Sequence, residues 1–185
     1  MSRRTLIPLL AAGLLAVAAP SALASGGTAK PPEVAQALPE AALRGEGRLR
    51  FLGLHVYDAR LWAPEPVPAD AWPGATLALE LAYARTLQGR AIAERSLQEM
   101  RRQGEIAPDQ AERWLGEMAR LFPDVRDGDR LTGLYRPGRG AAFFHNGQPR
   151  GEVADPEFAR RFFGIWLAPQ TSEPSLRERL LSGGR

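Results

Sequence analysis

The sequence predicts an α+β domain in which a mostly antiparallel sheet carries helices on one face. Residues 77–85 alternate large apolar side chains with small or charged ones, which is the two-residue period of a strand. Residues 89–122 change to the spacing of helices that are apolar on one side. Further on, Asn146-Gly147 joins two strand-like segments, and this dipeptide is the strongest short hairpin signal in the chain. A helical pair set among such strands is typical of a sheet covered on one side.

The remaining elements follow from local patterns, and no internal repeat is present. Gly104 is placed to end one helix, and Pro108 with Asp109 is placed to begin the next. Asp155-Pro156-Glu157 has the order of an N-cap, a first-turn proline and a first-turn acid. In chain order we predict one or two strands over 48–61, a proline-rich surface loop over 64–74, a strand over 77–85, helices over 89–102 and 108–122, strands over 130–136 and 141–145, a strand through 152–153, and helices over about 156–166 and 174–181.

The N-terminal residues 1–24 have the order of a cleavable signal peptide. Arg3 and Arg4 precede an apolar run over 6–19, and the run is followed by the small-residue site Ala22-Leu23-Ala24. We therefore expect cleavage near Ala24 and a periplasmic or secreted product, with an uncleaved anchor as the alternative. The chain has no cysteine, so lipid attachment and disulfides are excluded, which favours a bacterial periplasm over a small disulfide scaffold.

Beyond the signal segment, we expect a flexible leader over residues 25–40 and a single domain over 41–185. The 161 residues left after cleavage are enough for one hydrophobic core. Losing Arg3 and Arg4 leaves 22 basic against 21 acidic residues, a net charge near +1. No basic run marks a nucleic-acid partner or a polybasic membrane segment, and we expect no stable membrane insertion after cleavage. The sequence does not determine the oligomeric state.

Familiar catalytic signatures are missing from the sequence. Without cysteine, and with only His55 and His145, neither a thiol nucleophile nor a zinc cluster is available. Both histidines are interpreted as strand histidines rather than acid–base groups. Neither a nucleophile elbow nor a dinucleotide fingerprint occurs, and we predict no cofactor and no metal. The sequence leaves open whether the protein is an enzyme and favours a protein that is not one.

Four polar side chains within apolar strands are the candidate ligand-binding residues. Arg48 and Arg50 lie in the first strand region, and Tyr83 and Arg85 continue the apolar face of the strand from Leu77. A buried arginine or tyrosine needs a partner, which an acidic ligand can supply. In the alternative interpretation the arginines pair with surface carboxylates such as Glu46 or Asp58, and the tyrosine bonds locally.

Several segments together resemble the bacterial chalcone isomerase-like family, and most closely its exported proteobacterial members. The resemblance covers about residues 43–181 and rests on the order and spacing of weak motifs, which are Gly45–Arg48, His55–Trp62, Ala84–Leu87, Phe143–Gly147 and Phe162–Leu167. It implies an open-faced β-sandwich, in which a long sheet is covered by helices with a ligand cleft between them.

The resemblance transfers the fold more readily than the activity. Plant chalcone isomerases surround their cleft with an arginine, a tyrosine, a lysine, a threonine and an asparagine. In this chain Tyr83 falls where the enzyme has lysine, Ile92 where it has tyrosine, Glu99 where it has asparagine, and about Leu52 where it has threonine. Either Arg48 or Arg50 matches the arginine. Non-enzymatic relatives instead clasp a fatty-acid carboxylate with an arginine and a tyrosine.

Three functional hypotheses follow. The first is a non-catalytic exported protein that binds a small apolar or acidic ligand, a fatty acid or a phenolic compound, in its cleft. The second is an isomerase or intramolecular lyase that acts on an unknown conjugated substrate. The third is an envelope interaction protein without a ligand, whose cleft is filled by its own side chains.

Overall fold

A six-stranded antiparallel sheet, with its strands side by side in chain order, forms the frame of the molecule. The computed structural model describes residues 29–184, so the predicted signal segment 1–24 lies outside the described residues. The strands are Ala42–Phe51 (β1), Leu54–Ala63 (β2), Leu77–Tyr83 (β3), Arg130–Arg136 (β4), Gly140–His145 (β5) and Gln148–Val153 (β6). Two turns of the same kind, at Leu52-Gly53 and at Asn146-Gly147, close the β1–β2 and β5–β6 hairpins.

Within residues 29–184, five α-helices accompany the sheet, which confirms the α+β prediction. They are Pro32–Ala37 (α1), Gly89–Arg101 (α2), Pro108–Leu121 (α3), Pro156–Leu167 (α4) and Pro174–Leu180 (α5). The predicted cap of α4 is present, because Asp155 accepts hydrogen bonds from the backbone N–H groups of Glu157 and Phe158. None of the helices in the described part of the chain is long and apolar enough to cross a membrane.

The main core lies between one face of the sheet and helices α2 to α5. The alternation in β3 works as expected, because Leu77, Leu79, Leu81 and Tyr83 are all buried in this core. Helices α2 and α3 contribute Met100, Trp114 and Met118, and α4 contributes a run of aromatic rings from Phe158 to Trp166. The aromatic stripes are therefore core residues, as the helical spacing predicts.

The opposite face of the sheet carries helix α1, which the sequence analysis did not predict. Val34 of α1 is buried in a second apolar cluster with Trp62, Ala78 and Leu134. Glu33 is buried beside it and accepts a hydrogen bond of 2.7 Å from Thr132 Oγ1. Residues 32–37, which lie within the segment predicted as a leader, thus form a helix that packs on the sheet through one apolar and one hydrogen-bonded side chain.

Candidate functional site

A cavity of about 400 Å³ lies between the core face of the sheet and helices α2 and α4. Strand residues such as Leu49, Leu79 and Leu81 form one wall, and helix residues such as Ile92, Phe162 and Trp166 form the other. This volume falls within the roughly 300–1,000 Å³ of typical small-molecule sites. Most of the lining is apolar, so the cavity suits a ligand with a hydrocarbon or aromatic body.

Two tyrosines from neighbouring strands bring hydroxyl groups into this apolar wall. Tyr57 of β2 and Tyr83 of β3 are paired in register, and their rings meet edge to face with centroids 5.8 Å apart. The Tyr57 hydroxyl accepts a hydrogen bond of 2.9 Å from Trp166 Nε1. No such partner is found for the Tyr83 hydroxyl within residues 29–184. Burial raises the pKa of both tyrosines, so each hydroxyl keeps its proton and is able to donate it in a hydrogen bond.

Four charged side chains line the cavity, and two of them belong to α2. Arg85, Arg95, Glu99 and Glu173 all contribute to its lining. Arg95 lies one turn before Glu99 on α2 and binds Glu99 Oε1 at 2.6 Å. Glu99 Oε2 is buried and has no hydrogen-bond partner in the described residues, although Arg102 Nε lies 3.6 Å away. The lining of the cavity therefore includes two guanidinium groups and two carboxylates, and the Glu99 carboxylate is held by arginines of its own helix.

Two of the four candidate residues meet at the cavity, and two lie outside it. Tyr83 and Arg85 line the cavity, while Arg48 and Arg50 do not. Arg48 projects from the opposite face of the sheet, where its Nε donates to Asp58 Oδ1 at 2.7 Å. Arg50 is exposed, and its guanidinium donates to the Gly53 carbonyl of its own hairpin at 3.4 Å. For Arg48, the alternative interpretation of pairing with a surface carboxylate is the one that the structure shows.

The sequence analysis did not name several of the residues that line the cavity. Tyr57 shares strand parity with the buried Ala59 and Leu61, and this signal was present in the sequence. Arg95 precedes Glu99 by four residues, a spacing that puts both on one helix side. Ile92 and Glu99, which stand where plant enzymes have tyrosine and asparagine, do line the cavity.

Neither histidine lines the cavity. His55 Nε2 is 3.2 Å from Asp58 Oδ1 beside the β1–β2 turn, and His145 Nε2 is 3.7 Å from Asp129 Oδ2 at the β5–β6 hairpin. Within residues 29–184, no group of three or more histidine, aspartate or glutamate side chains is placed to hold a metal ion.

An open antiparallel sheet whose helix-covered face encloses an apolar cavity defines the class of the domain, an open-faced α+β sandwich. The chain belongs to the chalcone isomerase-like family, whose sequence model matches residues 26–182. A solved structure with the same fold is that of a fatty-acid binding protein of Arabidopsis thaliana, with a TM-score of 0.62, 15% identity, and coverage of 78% of this chain and 88% of that one.

A protein of Haemophilus influenzae is 30% identical over 105 residues. That match covers 57% of this chain and about half of the relative, 51% of its length.

Proposed function

We propose that this protein binds a small apolar molecule with an acidic group, a fatty acid or an acidic phenolic compound, without converting it. The observation that carries the proposal is the Tyr83 hydroxyl, which has no hydrogen-bond partner within residues 29–184 and belongs to the lining of an apolar cavity that Arg85 also lines. A ligand oxygen in the cavity would give this hydroxyl the hydrogen-bond acceptor that it lacks within the described residues.

The chemistry of the cavity fits such a ligand in two parts. Apolar side chains such as Leu81, Phe143 and Phe162 would cover the body of the ligand. The Arg85 guanidinium would pair with a carboxylate through its planar fork, and the protonated Tyr83 hydroxyl would donate to the same group. Neither interaction requires a general base.

The structural relative supports this reading. The Arabidopsis protein of the same fold is described as a fatty-acid binding protein. At 15% identity the likeness establishes the fold alone, so the proposal for this chain depends on its own cavity residues.

The first experiment measures binding of a saturated fatty acid to the delipidated protein by titration calorimetry. Replacing Arg85 by Gln should weaken binding by about 1.5–3 kcal/mol, roughly tenfold to a hundredfold, because a hydrogen bond to a charged group is lost. Arg48→Gln is the matched control, since it removes the same charge from the other face of the sheet.

Equal losses in the Arg85 and Arg48 variants would contradict the assignment of the site. An absence of binding to fatty acids and to acidic phenolic compounds would contradict the function itself. So would turnover of a conjugated phenolic substrate, seen as an absorbance change that Arg85→Gln abolishes, because the second hypothesis, an isomerase, would then hold.

We also propose that the protein works outside the cytoplasm of a bacterium. The support is the order of charged, apolar and small residues over 1–24. Intact-mass measurement on the protein from a periplasmic extract should give a mature chain that begins at Ser25. Recovery of the full-length chain in the cytoplasmic fraction would contradict this proposal.

A further inference from the structure

The β1–β2 turn carries three exposed large apolar side chains, which we call the apolar tip: Phe51, Leu52 and Leu54. Their exposed fractions are 60%, 86% and 53%, and they are the exposed large hydrophobic residues within the described part of the chain. Single exposed apolar residues are ordinary, but a contiguous group at a protruding turn marks an interaction site more often.

The conformation of the turn makes Leu52 the most unusual member of the apolar tip. Leu52 and Gly53 have φ values of 49° and 80°, nearly those of Asn146 and Gly147 in the β5–β6 turn, 50° and 83°. A turn of this geometry prefers asparagine at the first position, whereas a leucine there is strained. No burial compensates for the strain, because Leu52 is 86% exposed. Leu52 is thus disfavoured by the turn conformation and is not buried in the core. Such a residue indicates a function at the surface.

Two arginines lie near the apolar tip, Arg50 and Arg85. Residues 49–57 contain no acidic side chain, and Arg50 lies directly beside Phe51. The end of β3 is close by, because the Ala84 N–H donates to the Val56 carbonyl, and Arg85 follows there. Neither Arg50 nor Arg85 has an ion-pair partner within residues 29–184, whereas Asp58 is already paired with Arg48. Apolar side chains flanked by unpaired arginines suit the surface of an anionic membrane.

We propose that the apolar tip docks on an anionic lipid membrane surface, with Leu52 and its neighbours entering the acyl boundary and Arg50 among the headgroups. This contact is peripheral and involves one turn. A protein partner fits less well, because a stable interface covers about 800 Å² on each side and the tip offers three side chains on a convex turn.

The cavity is continuous with the apolar tip. Phe51 is 60% exposed and also lines the cavity, so docking would bring this end of the cavity to the lipid surface. If the proposed ligand binding holds, docking would let a fatty acid pass between the bilayer and the cavity without crossing water. This consequence rests on the proposed function, whereas the docking itself does not.

Flotation with vesicles tests the docking. Wild-type protein should float with vesicles of phosphatidylglycerol and phosphatidylethanolamine, and much less with vesicles of phosphatidylcholine alone. Leu52→Asn should lower partitioning about tenfold, since the most exposed apolar side chain is lost. The same variant should unfold at an equal or higher temperature, because asparagine suits the turn. A misfolded variant is thereby distinguished from one that cannot dock.

Two charge variants measure the electrostatic contribution to vesicle binding. Arg50→Gln should weaken flotation and reduce its salt dependence. Arg139→Gln is the matched control, because it removes the same charge from the β4–β5 turn at the other end of the sheet, and flotation should be unchanged.

Undiminished flotation of Leu52→Asn would overturn the proposal. So would light scattering that shows a wild-type dimer dissociated by Leu52→Asn, because a second copy of the chain would then cover the tip. Leu52 does not line the cavity, so fatty-acid binding in solution should be the same in Leu52→Asn and wild type. Flotation without any ligand binding in solution would leave the docking standing and contradict the proposed function alone.

Discussion

At the scale of single residues, the neighbouring tyrosines Tyr57 and Tyr83 differ in the hydrogen bonding of their hydroxyl groups. Both are in the core wall of the sheet, and their rings are in contact. Trp166 donates to the Tyr57 hydroxyl and holds it within the protein, whereas the Tyr83 hydroxyl has no partner within residues 29–184. We therefore assign Tyr57 to stability and propose Tyr83 for ligand contact.

The raised pKa values of these two tyrosines predict loss of stability in alkali. The folded chain keeps both protons above pH 10, the ordinary tyrosine value of about 10 being that of the unfolded chain. The contribution of these protonated hydroxyls to the free energy of unfolding is fully present below pH 10. It is lost as the pH rises from about 10 to the pKa values of the folded chain. Tyr83→Phe removes one group, so the alkaline midpoint of unfolding, followed by circular dichroism, should move upward.

A comparison with Tyr57→Phe makes this prediction specific. Tyr57→Phe should also move the alkaline midpoint, but it should lower the stability at pH 7 by about 1 kcal/mol or more, because the Trp166 N–H loses its acceptor. Tyr83→Phe should leave the stability at pH 7 nearly unchanged. An alkaline limb identical to that of wild type in Tyr83→Phe would show that the buried hydroxyl does not govern it.

The site residues were predictable only where the strand pattern was clear. In β3 the large residues alternate strictly with small or charged ones, so the sequence alone placed Tyr83 on the core face. In β1 the core-facing positions before Leu49 are occupied by Gly45 and Gly47, which removes the apolar alternation from the sequence. Without that signal the face of Arg48 was undetermined, and the register shift after Leu49 displaced Arg50 as well.

At the scale of elements, the glycines of β1 have a packing role. A Cβ atom at Gly45 would meet the backbone carbonyls of Arg179 and Leu180, and one at Gly47 would lie 2.6 Å from Leu176 Cδ1. Helix α5 therefore lies directly on the backbone of β1. This contact joins the last helix to the first strand, so local sequence patterns did not reveal it.

Gly45→Ala is predicted to destabilise the fold by displacing α5. Because backbone atoms of α5 block the new methyl group, we expect a loss of about 1–3 kcal/mol in the free energy of unfolding, measured by urea denaturation. Gly116→Ala is the control, since Gly116 is exposed in the middle of α3 with open space around it. That variant should gain about 0.5–1 kcal/mol from helix propensity. A neutral Gly45→Ala would contradict the close contact between α5 and β1.

Helix α1 escaped prediction for a related reason. Its six residues lie next to Pro31 in a segment rich in proline and alanine, and a helix this short is not stable by itself. Its stability comes from distant partners, because Glu33 contacts Thr132 and Arg130 on β4. Pairing over about a hundred residues is invisible to local patterns, whereas the period of β3 and the cap of α4 are local and were predicted.

At the scale of the whole molecule, the two faces of the sheet carry different buried polar groups. The helix-covered face holds the cavity, and the other face holds a buried carboxylate, Glu80. Glu80 accepts from Trp62 Nε1 at 3.0 Å and from the Arg60 guanidinium at 3.1 Å. Glu80 and Tyr83 belong to the same strand but project to opposite faces and share no partner. Substitutions in the Glu80 cluster are therefore expected to change the stability without changing ligand binding.

This separation predicts additive effects of mutations on the two faces. Glu80→Ala should lower the free energy of unfolding by about 3 kcal/mol, because Arg60 and Trp62 lose a buried acceptor. Glu46→Ala, which removes an exposed partner of Arg60, should cost far less. Urea denaturation with and without a saturating fatty acid should give Glu80→Ala the same ligand-induced stabilisation as wild type, and Tyr83→Phe a smaller one. In the double variant the two effects should add within about 0.5 kcal/mol. A coupling well above that value would mean that β3 transmits a structural change between its faces, and the cavity would then not be independent of the Glu80 cluster.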